Sequence, residues 1–334
     1  MPGRSAAAKP EYNIPVFIYH RVGDDRYPST NISISLFEDH LKYLKDNDFN
    51  AITLSKALRQ IRQGGSLPQK TVVLTIDDAY LSFFRNGLPL LVKYGMPATL
   101  FINTETIGGS DFMSWQDVQY AMDQGIELGN HSHSHAHFVN LPLEERSRAF
   151  RNDLQVSEDI FQDRLGIKPV IYSYPYGEWS PEMKKILKEK GYLGAAGQHS
   201  GVLSEYSDVF DMPRFPMTGN FGKQEKFIEK LYMLSLPVSV ISPGNPIIGQ
   251  NNPPELEIEL IDARMINAGS IQCFIQGSRD CRLDFDESKK KLIIRSSKKL
   301  HARRTLYTIT AQSSNEPDKW FWWSWLWIRP DVEE

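Results

Sequence analysis

The chain has 334 residues, 41% of them hydrophobic and 24% charged, with a formal charge of -3 from 38 basic and 41 acidic side chains. That length suggests about two domains, and the mixture excludes a wholly disordered or collagenous chain. The balanced charge leaves no footprint of a nucleic-acid binder, no apolar run approaches the ~18 residues that span a bilayer, and the opening MPGRSAAAKPEYN lacks the apolar core of a signal peptide.

In chain order, apolar runs at 14–19, 71–76, 98–102, 126–128, 170–174 and 192–196 read as strands buried on both faces. Helical patterns fall between them. Ser35 with Glu38 reads as a capping box before a helix over 36–45, with Phe37, Leu41 and Leu44 on one face. Ser114 with Asp117 reads the same way before 115–124, which Gly125 stops. Phe150, Leu154, Phe161 and Leu165 mark a longer helix ending at Gly166, and Ser180, Pro181 and Gly191 bracket another. This alternation predicts an α/β layer or barrel fold.

The rhythm changes after about 238. Turn residues crowd 242–246 (SPGNP) and 251–254 (NNPP). Short alternating stretches follow at 256–261, 271–276, 291–295 and 306–310, predicting a small all-β, sandwich-like unit. The expected division is a first unit over 11–240, a linker over 241–254 and the β unit over 255–334. Cys273 and Cys281 flank Gly277 in an expected hairpin, either bridged across its strands or as two free thiols.

Three polar stretches stand at the ends of predicted strands. Thr75-Ile76-Asp77-Asp78 sets two adjacent carboxylates after a strand, with diverging side chains, so that one can bind a metal while the other takes a proton from water. Alone, the pair fits a helix cap and a surface acid as well. Asn130-His131-Ser132-His133-Ser134-His135-Ala136-His137 places His131 and His135 four apart, so that a helical turn would put both imidazoles on one side. With one carboxylate they make a His₂Asp set with room for water, as catalytic zinc uses; a solvated histidine loop is the plainer alternative. The third stretch, 172–180 (YSYPYGEWS), joins a rigid Pro175 to a permissive Gly177 in a loop able to offer backbone N–H groups or simply to pack its tyrosines.

In this order and spacing, the three stretches resemble the motifs of the polysaccharide deacetylase family, the NodB-homology or carbohydrate esterase family 4 domain, over roughly 11–238. The family's Thr-Phe-Asp-Asp looks like Thr75 to Asp78, its His-Ser/Thr-x-x-His like His131 to His135, and its Arg-Pro-Pro-Tyr-Gly like Ser173 to Gly177. The resemblance implies an irregular (β/α)₇ barrel, here followed by the all-β unit. It implies Asp77 as catalytic base, Asp78, His131 and His135 as ligands of a divalent metal (Zn²⁺ first, with Co²⁺, Ni²⁺ and Fe²⁺ as alternatives), and the Tyr176 N–H as part of an oxyanion hole. It also implies a bacterial periplasmic, cell-surface or secreted setting. The substrate class would be an acetylated polysaccharide or oligosaccharide, with N-acetyl groups on glucosamine polymers or O-acetyl groups on xylan removed as acetate; a weakened carbohydrate-binding relative is the further alternative. The Tyr-Pro-Tyr-Gly form and the opening Tyr19-His20 look more like the branch acting on poly-β-1,6-N-acetylglucosamine.

Two family features are missing. Ser173 stands where the family has an Arg that braces the base, and Arg214 in MPRFP is the candidate replacement. No Leu-x-His motif supplies a general acid; His199 in GQHSG, His20 or another group is expected in that role.

Trp320 to Ile328 carries five of the seven tryptophans and reads as one long strand. Period two puts Phe321, Trp323, Trp325 and Trp327 on one face and Trp320, Trp322, Leu326 and Ile328 on the other. One face is core of the β unit, and the other needs a cover: the barrel, a sugar chain or another copy. Nothing in the sequence gives the oligomeric state.

Overall fold

The computed structural model describes residues 12–278 and 280–333, so the segment read for a signal peptide lies almost wholly outside the described residues. The first strands are β1 (Ile14–Tyr19), β2 (Arg21–Val22), β3 (Asn31–Ile32), β4 (Asn50–Ile52), β5 (Thr71–Ile76), β6 (Thr99–Ile102), β7 (Glu127–Asn130), β8 (Ile171–Ser173), β9 (Gly194–Ala196), β10 (Val202–Leu203) and β11 (Phe215–Pro216). Between and after them lie α1 (Ile34–Asp46), α2 (Leu54–Gln63), α3 (Leu88–Tyr94), α4 (Trp115–Asp123), α5 (Leu143–Leu165), α6 (Pro181–Glu189) and α7 (Gln224–Leu231). Strands β1, β5, β6, β7, β8 and β9 run parallel in that order, with β4 beside β5 and both β10 and β11 beside β1. Every residue of β1 and β5 is buried, which is why these runs are apolar throughout rather than alternating.

Residues 212–217 close the sheet on itself. Met212 exchanges backbone hydrogen bonds with Ala195 and Gly197 on one side, and β11 and the Met217 N–H pair with β1 on the other. The result is an irregular α/β barrel, one of the two arrangements that the alternation allows and the one that the resemblance implies.

Helix α1 is capped by Ser33 rather than Ser35: Ser33 holds an extended backbone and its Oγ accepts from the Leu36 N–H at 3.2 Å, while Ser35 is already inside the helix. The capping box of α4 is present, Ser114 Oγ accepting from Asp117 N–H and Asp117 Oδ2 from Ser114 N–H. Helix α6 begins after Ser180 with Pro181 first, but the Ser180 side chain makes no cap bond.

The remaining strands are β12 (Leu234–Ser235), β13 (Val238–Ser242), β14 (Glu255–Leu260), β15 (Gln272–Ile275), β16 (Cys281–Asp286), β17 (Lys291–Ser296), β18 (Arg304–Gln312) and β19 (Trp320–Ile328). They form two four-stranded sheets, β12-β19-β18-β15 and β13-β14-β17-β16. Leu256, Ile258 and Ile294 of one share a core with Ile309, Phe321 and Trp327 of the other, giving the expected sandwich. Cys273 and Cys281 form a disulfide with Cα atoms 5.9 Å apart. The hairpin expected around them is not what forms. Strand β15 pairs with β18 and β16 with β17, so the chain crosses between sheets at Gly277 and the bridge ties the two layers together.

The second face of β19 meets the barrel. Trp322 Nε1 donates to Ser200 Oγ at 3.0 Å, Ser324 Oγ bonds the Ser200 backbone carbonyl, and the Trp322 ring stands edge-on to Phe215 and beneath the Lys230 ammonium. The barrel thus covers the middle of this face, at Trp322 and Ser324, while Trp320, Trp322 and Leu326 also line a cleft between the sheet and the barrel.

Candidate metal centre and active-site cleft

Asp77 follows the last residue of β5, and its N–H is held by the Tyr19 carbonyl of β1. Its side chain is fully buried and faces Arg214, which is buried as completely. Arg214 Nη1 donates to Asp77 Oδ1 at 2.7 Å and Nη2 to Oδ2 at 2.9 Å, a two-pronged pair. The remaining guanidinium donors go to Gly197 O, Thr75 Oγ1 and Ser173 Oγ, and Ser173 Oγ donates in turn to Asp77 Oδ2 at 3.2 Å. Arg214 reaches this position because it immediately precedes β11, which pairs with β1 beside β5. The small Ser173 leaves it room. Burial alone would raise the Asp77 pKa; the Arg214 charge, His131 and the hydrogen bonds more than reverse this and hold the carboxyl below its ordinary range.

Asp78 adopts a left-handed backbone (φ 73°), as does Ala79 (φ 53°), which turns its carboxylate away from that of Asp77. It faces two imidazoles: Asp78 Oδ1 lies 3.4 Å from His131 Nε2 and 3.4 Å from His135 Nε2, and those two nitrogens are 3.3 Å apart. The helical turn expected to bring the histidines together does not form. After β7 the chain instead makes a loop with Ser132 (φ 75°) and His135 (φ 52°) left-handed, and Ser132 Oγ accepts from the His135 N–H. Asp153 on α5 anchors this loop by accepting from the His133 and Ser134 N–H groups, and Asn130 Oδ1 accepts from the Ser132 N–H. Such non-glycine strain costs on the order of 1–3 kcal/mol per residue and is retained where a site demands it.

The donor set fits a divalent metal. His131 Nδ1 lies 2.8 Å from the Ser173 carbonyl, which can only accept, so Nδ1 carries the hydrogen and Nε2 presents its lone pair. Donors bound to one tetrahedral zinc at about 2.0–2.1 Å lie about 3.3–3.4 Å from one another, the spacing found here. Burial and the His131 charge lower the His135 pKa to about 4, favouring the neutral ligand form. Burial would raise Asp78, but His131 and its neighbours hold it well below the usual carboxylate range. His133 bonds Thr104 and His137 bonds Glu178, so neither joins the set.

Tyr176 sits in a left-handed backbone (φ 58°) within a short 3₁₀ turn, its ring stacked on His137 at 3.8 Å and edge-on to His135 at 4.6 Å. It lines a cleft of about 1350 Å³ together with His20, Asp78, His131 and His135. His20, just after β1, has a buried Nδ1 with no hydrogen-bond partner among the described residues. Burial lowers its pKa, against the opposing pull of Asp78 and Asp77. His199 is elsewhere: it does not line the cleft, and its Nε2 lies 3.0 Å from the Asp211 carbonyl and 3.3 Å from Asp211 Oδ1. The sequence reading missed Thr75 and Ser173 as supports of Arg214; the Ser at the family's Arg position was the available signal.

A model of the polysaccharide deacetylase family matches residues 64–195, from just before β5 through β9. The poly-beta-1,6-N-acetyl-D-glucosamine N-deacetylase of Staphylococcus aureus is 25% identical over 211 residues, covering 59% of this chain and 71% of that protein. The barrel belongs to the polysaccharide deacetylase family. Among solved structures, IcaB from Ammonifex degensii superposes with a TM-score of 0.57 at 26% identity, covering 63% of this chain and 93% of that one. The Streptococcus pyogenes deacetylase PplD, in complex with acetate, shares the fold with a TM-score of 0.61 at 18% identity, over 66% of this chain and 99% of its own. The site is that of a metal-dependent deacetylase of this family, a class that acts on acetylated glycans, with Asp78, His131 and His135 able to hold the ion. Among the described residues, no helix is long and apolar enough to cross a membrane.

Proposed function

We propose that the protein hydrolyses N-acetyl groups on an N-acetylglucosamine-containing polysaccharide, releasing acetate and leaving a free amine. The observation that carries this is the adjacency of two differently set carboxylates: Asp78 in a tetrahedrally spaced donor set, and Asp77 beside it in the two-pronged grip of Arg214. Asp78, His131 and His135 would hold a divalent ion, zinc first, which when bound would supply Lewis acidity toward the acetyl carbonyl. Asp77, kept ionised by Arg214, takes the proton of the attacking water. The Tyr176 N–H donates to the oxygen on which charge develops. His20 gives its proton to the departing nitrogen, which an amine needs because its anion is a poor leaving group. His20 is preferred to His199 because it lines the cleft.

The disulfide supports an oxidising setting outside the cytoplasm. The test is acetate release by the zinc-loaded protein from β-1,6-linked N-acetylglucosamine oligomers and from acetylated xylan. Release from the oligomers, abolished by Asp77→Asn, is the expected result. Release from xylan alone would make the protein an O-acetyl esterase.

A further inference from the structure

The C-terminal sandwich contributes one wall of the catalytic cleft, and it does so with a single sheet face. Gln272 of β15 lies opposite Thr310 of β18, which lies opposite Trp322 of β19. Leu306 of β18 lies opposite Leu326 of β19, and its carbonyl accepts from the Gln276 N–H just beyond β15. Phe274 sits between the two glutamines. All of these side chains line the cleft that holds Asp78, His131 and His135. The alternate residues Ile275, Tyr307, Ile309, Phe321 and Trp327 fill the sandwich core instead.

Phe274 is 51% exposed, and with Leu306, Trp320, Trp322 and Leu326 it gives the cleft a contiguous apolar lining, the kind of patch that marks a binding surface. Beside it stand amides and a hydroxyl, with Arg304 as the one charged group that the sheet offers to the cleft. On the opposite wall, Lys226 and Lys230 share the one carboxylate of Glu229 at 2.9 and 2.8 Å, which offsets part of their charge. At about 1350 Å³ the cleft exceeds the roughly 300–1,000 Å³ that holds one small ligand.

We propose that this sheet face is a glycan-binding platform that holds sugar units neighbouring the one whose acetyl group is removed. An uncharged chain of N-acetylated hexose units fits it. The C–H faces of the rings pack on Phe274 and Trp320, and their hydroxyl and acetamido groups meet Gln272, Gln276 and Thr310. The platform makes the accessory sandwich part of substrate recognition and makes the enzyme prefer long chains. The inference rests on the deacetylase reading for the identity of the chain.

The test uses the full-length, zinc-loaded Asp77→Asn protein, in which binding is measured without turnover. Isothermal titration with hexamers and dimers of N-acetylglucosamine, both β-1,6- and β-1,4-linked, should show one hexamer binding about tenfold more tightly than its dimer. Adding Phe274→Ala, or separately Gln272→Ala, should remove most of that advantage; both residues are exposed, so both variants fold. An unchanged hexamer advantage in both variants overturns the proposal, as does failure of every hexamer to bind. Loss of a dimeric state in Phe274→Ala, with glycan binding intact, assigns the face to a second copy instead. Acetate release by the unaltered protein is scored separately: hexamer binding through this face without acetate release sinks the deacetylase reading and keeps the platform.

Discussion

Arg303, from the C-terminal sandwich, grips Glu178, from the loop that carries Tyr176 and Gly177: Nε donates to Oε1 at 2.7 Å and Nη2 to Oε2 at 2.8 Å, with both side chains buried. Arg303 Nη2 also donates to Asn140 Oδ1 beyond the histidine loop. One guanidinium therefore fastens the sandwich to two of the loops around the metal centre. Removing one partner of a buried pair strands the other charge, at a cost of roughly 3–5 kcal/mol. Arg303→Met should lower stability by about that amount in urea unfolding and depress kcat through the Tyr176 loop. A loss below about 1 kcal/mol would show the contact to be incidental.

The metal and base assignments separate cleanly. Asp78→Asn and His131→Ala should lose zinc by more than the roughly 10–100-fold typical of a supporting residue. Asp77→Asn should retain zinc and lose about 10²–10⁴ in turnover. Elemental analysis alongside an acetate assay distinguishes them, and near-full turnover in Asp77→Asn would remove it as the base.

His20→Gln should reduce kcat on the amide about 10²-fold or more, with a smaller effect on an acetyl ester, whose leaving group needs less protonation. His199→Gln should leave the ratio of amide to ester activity unchanged and reduce stability instead. The reverse pattern would return His199 to the acid role.

His199 and Asp211 also make a pH-dependent contribution to stability. Burial would lower the His199 pKa, but the Asp211 carboxylate raises it above the ordinary value, so the contribution is full below about pH 6.5 and is lost as pH rises through the raised value. Asp211 goes the other way. Burial would raise it, yet His199 and Lys184 hold it low, so its contribution is full above about pH 3.9 and is lost as pH falls through the depressed value. The stability gap between the unaltered protein and His199→Asn should be widest between about pH 4 and 6.5 and should narrow on the alkaline side. A gap that is flat from pH 5 to 9 would contradict the pairing.

Much of the centre was legible because its residues follow strands directly. A buried run such as 71–76 ends where the barrel opens, so the strand pattern alone puts Asp77 and Asp78 at its mouth. The histidine spacing gave the right pair by the wrong path: sequence suggests a helical turn, whereas the left-handed Ser132 and His135 make a loop that only the anchoring Asp153 explains. Arg214 lies 137 residues from Asp77, and its role could be guessed only from the Ser at position 173. The inward turn of His199 was illegible, since a loop's direction depends on the segment it packs against. The tryptophan strand shows its alternation plainly but not what each face meets, because the covers, Leu256, Ile258 and Ile294 of the other sheet and Ser200 and Phe215 of the barrel, lie far from it in sequence.

The segment at 212–217 joins the last strand of the barrel to the first, and Arg214 sits in the middle of it. The same few residues thus zip the barrel shut and fix the ionisation of Asp77. A local breach of this seam would unseat the proposed base while the rest of the core stayed packed. On heating, catalytic inactivation should therefore run ahead of the loss of secondary structure, and the temperature of half-activity should fall below the melting temperature.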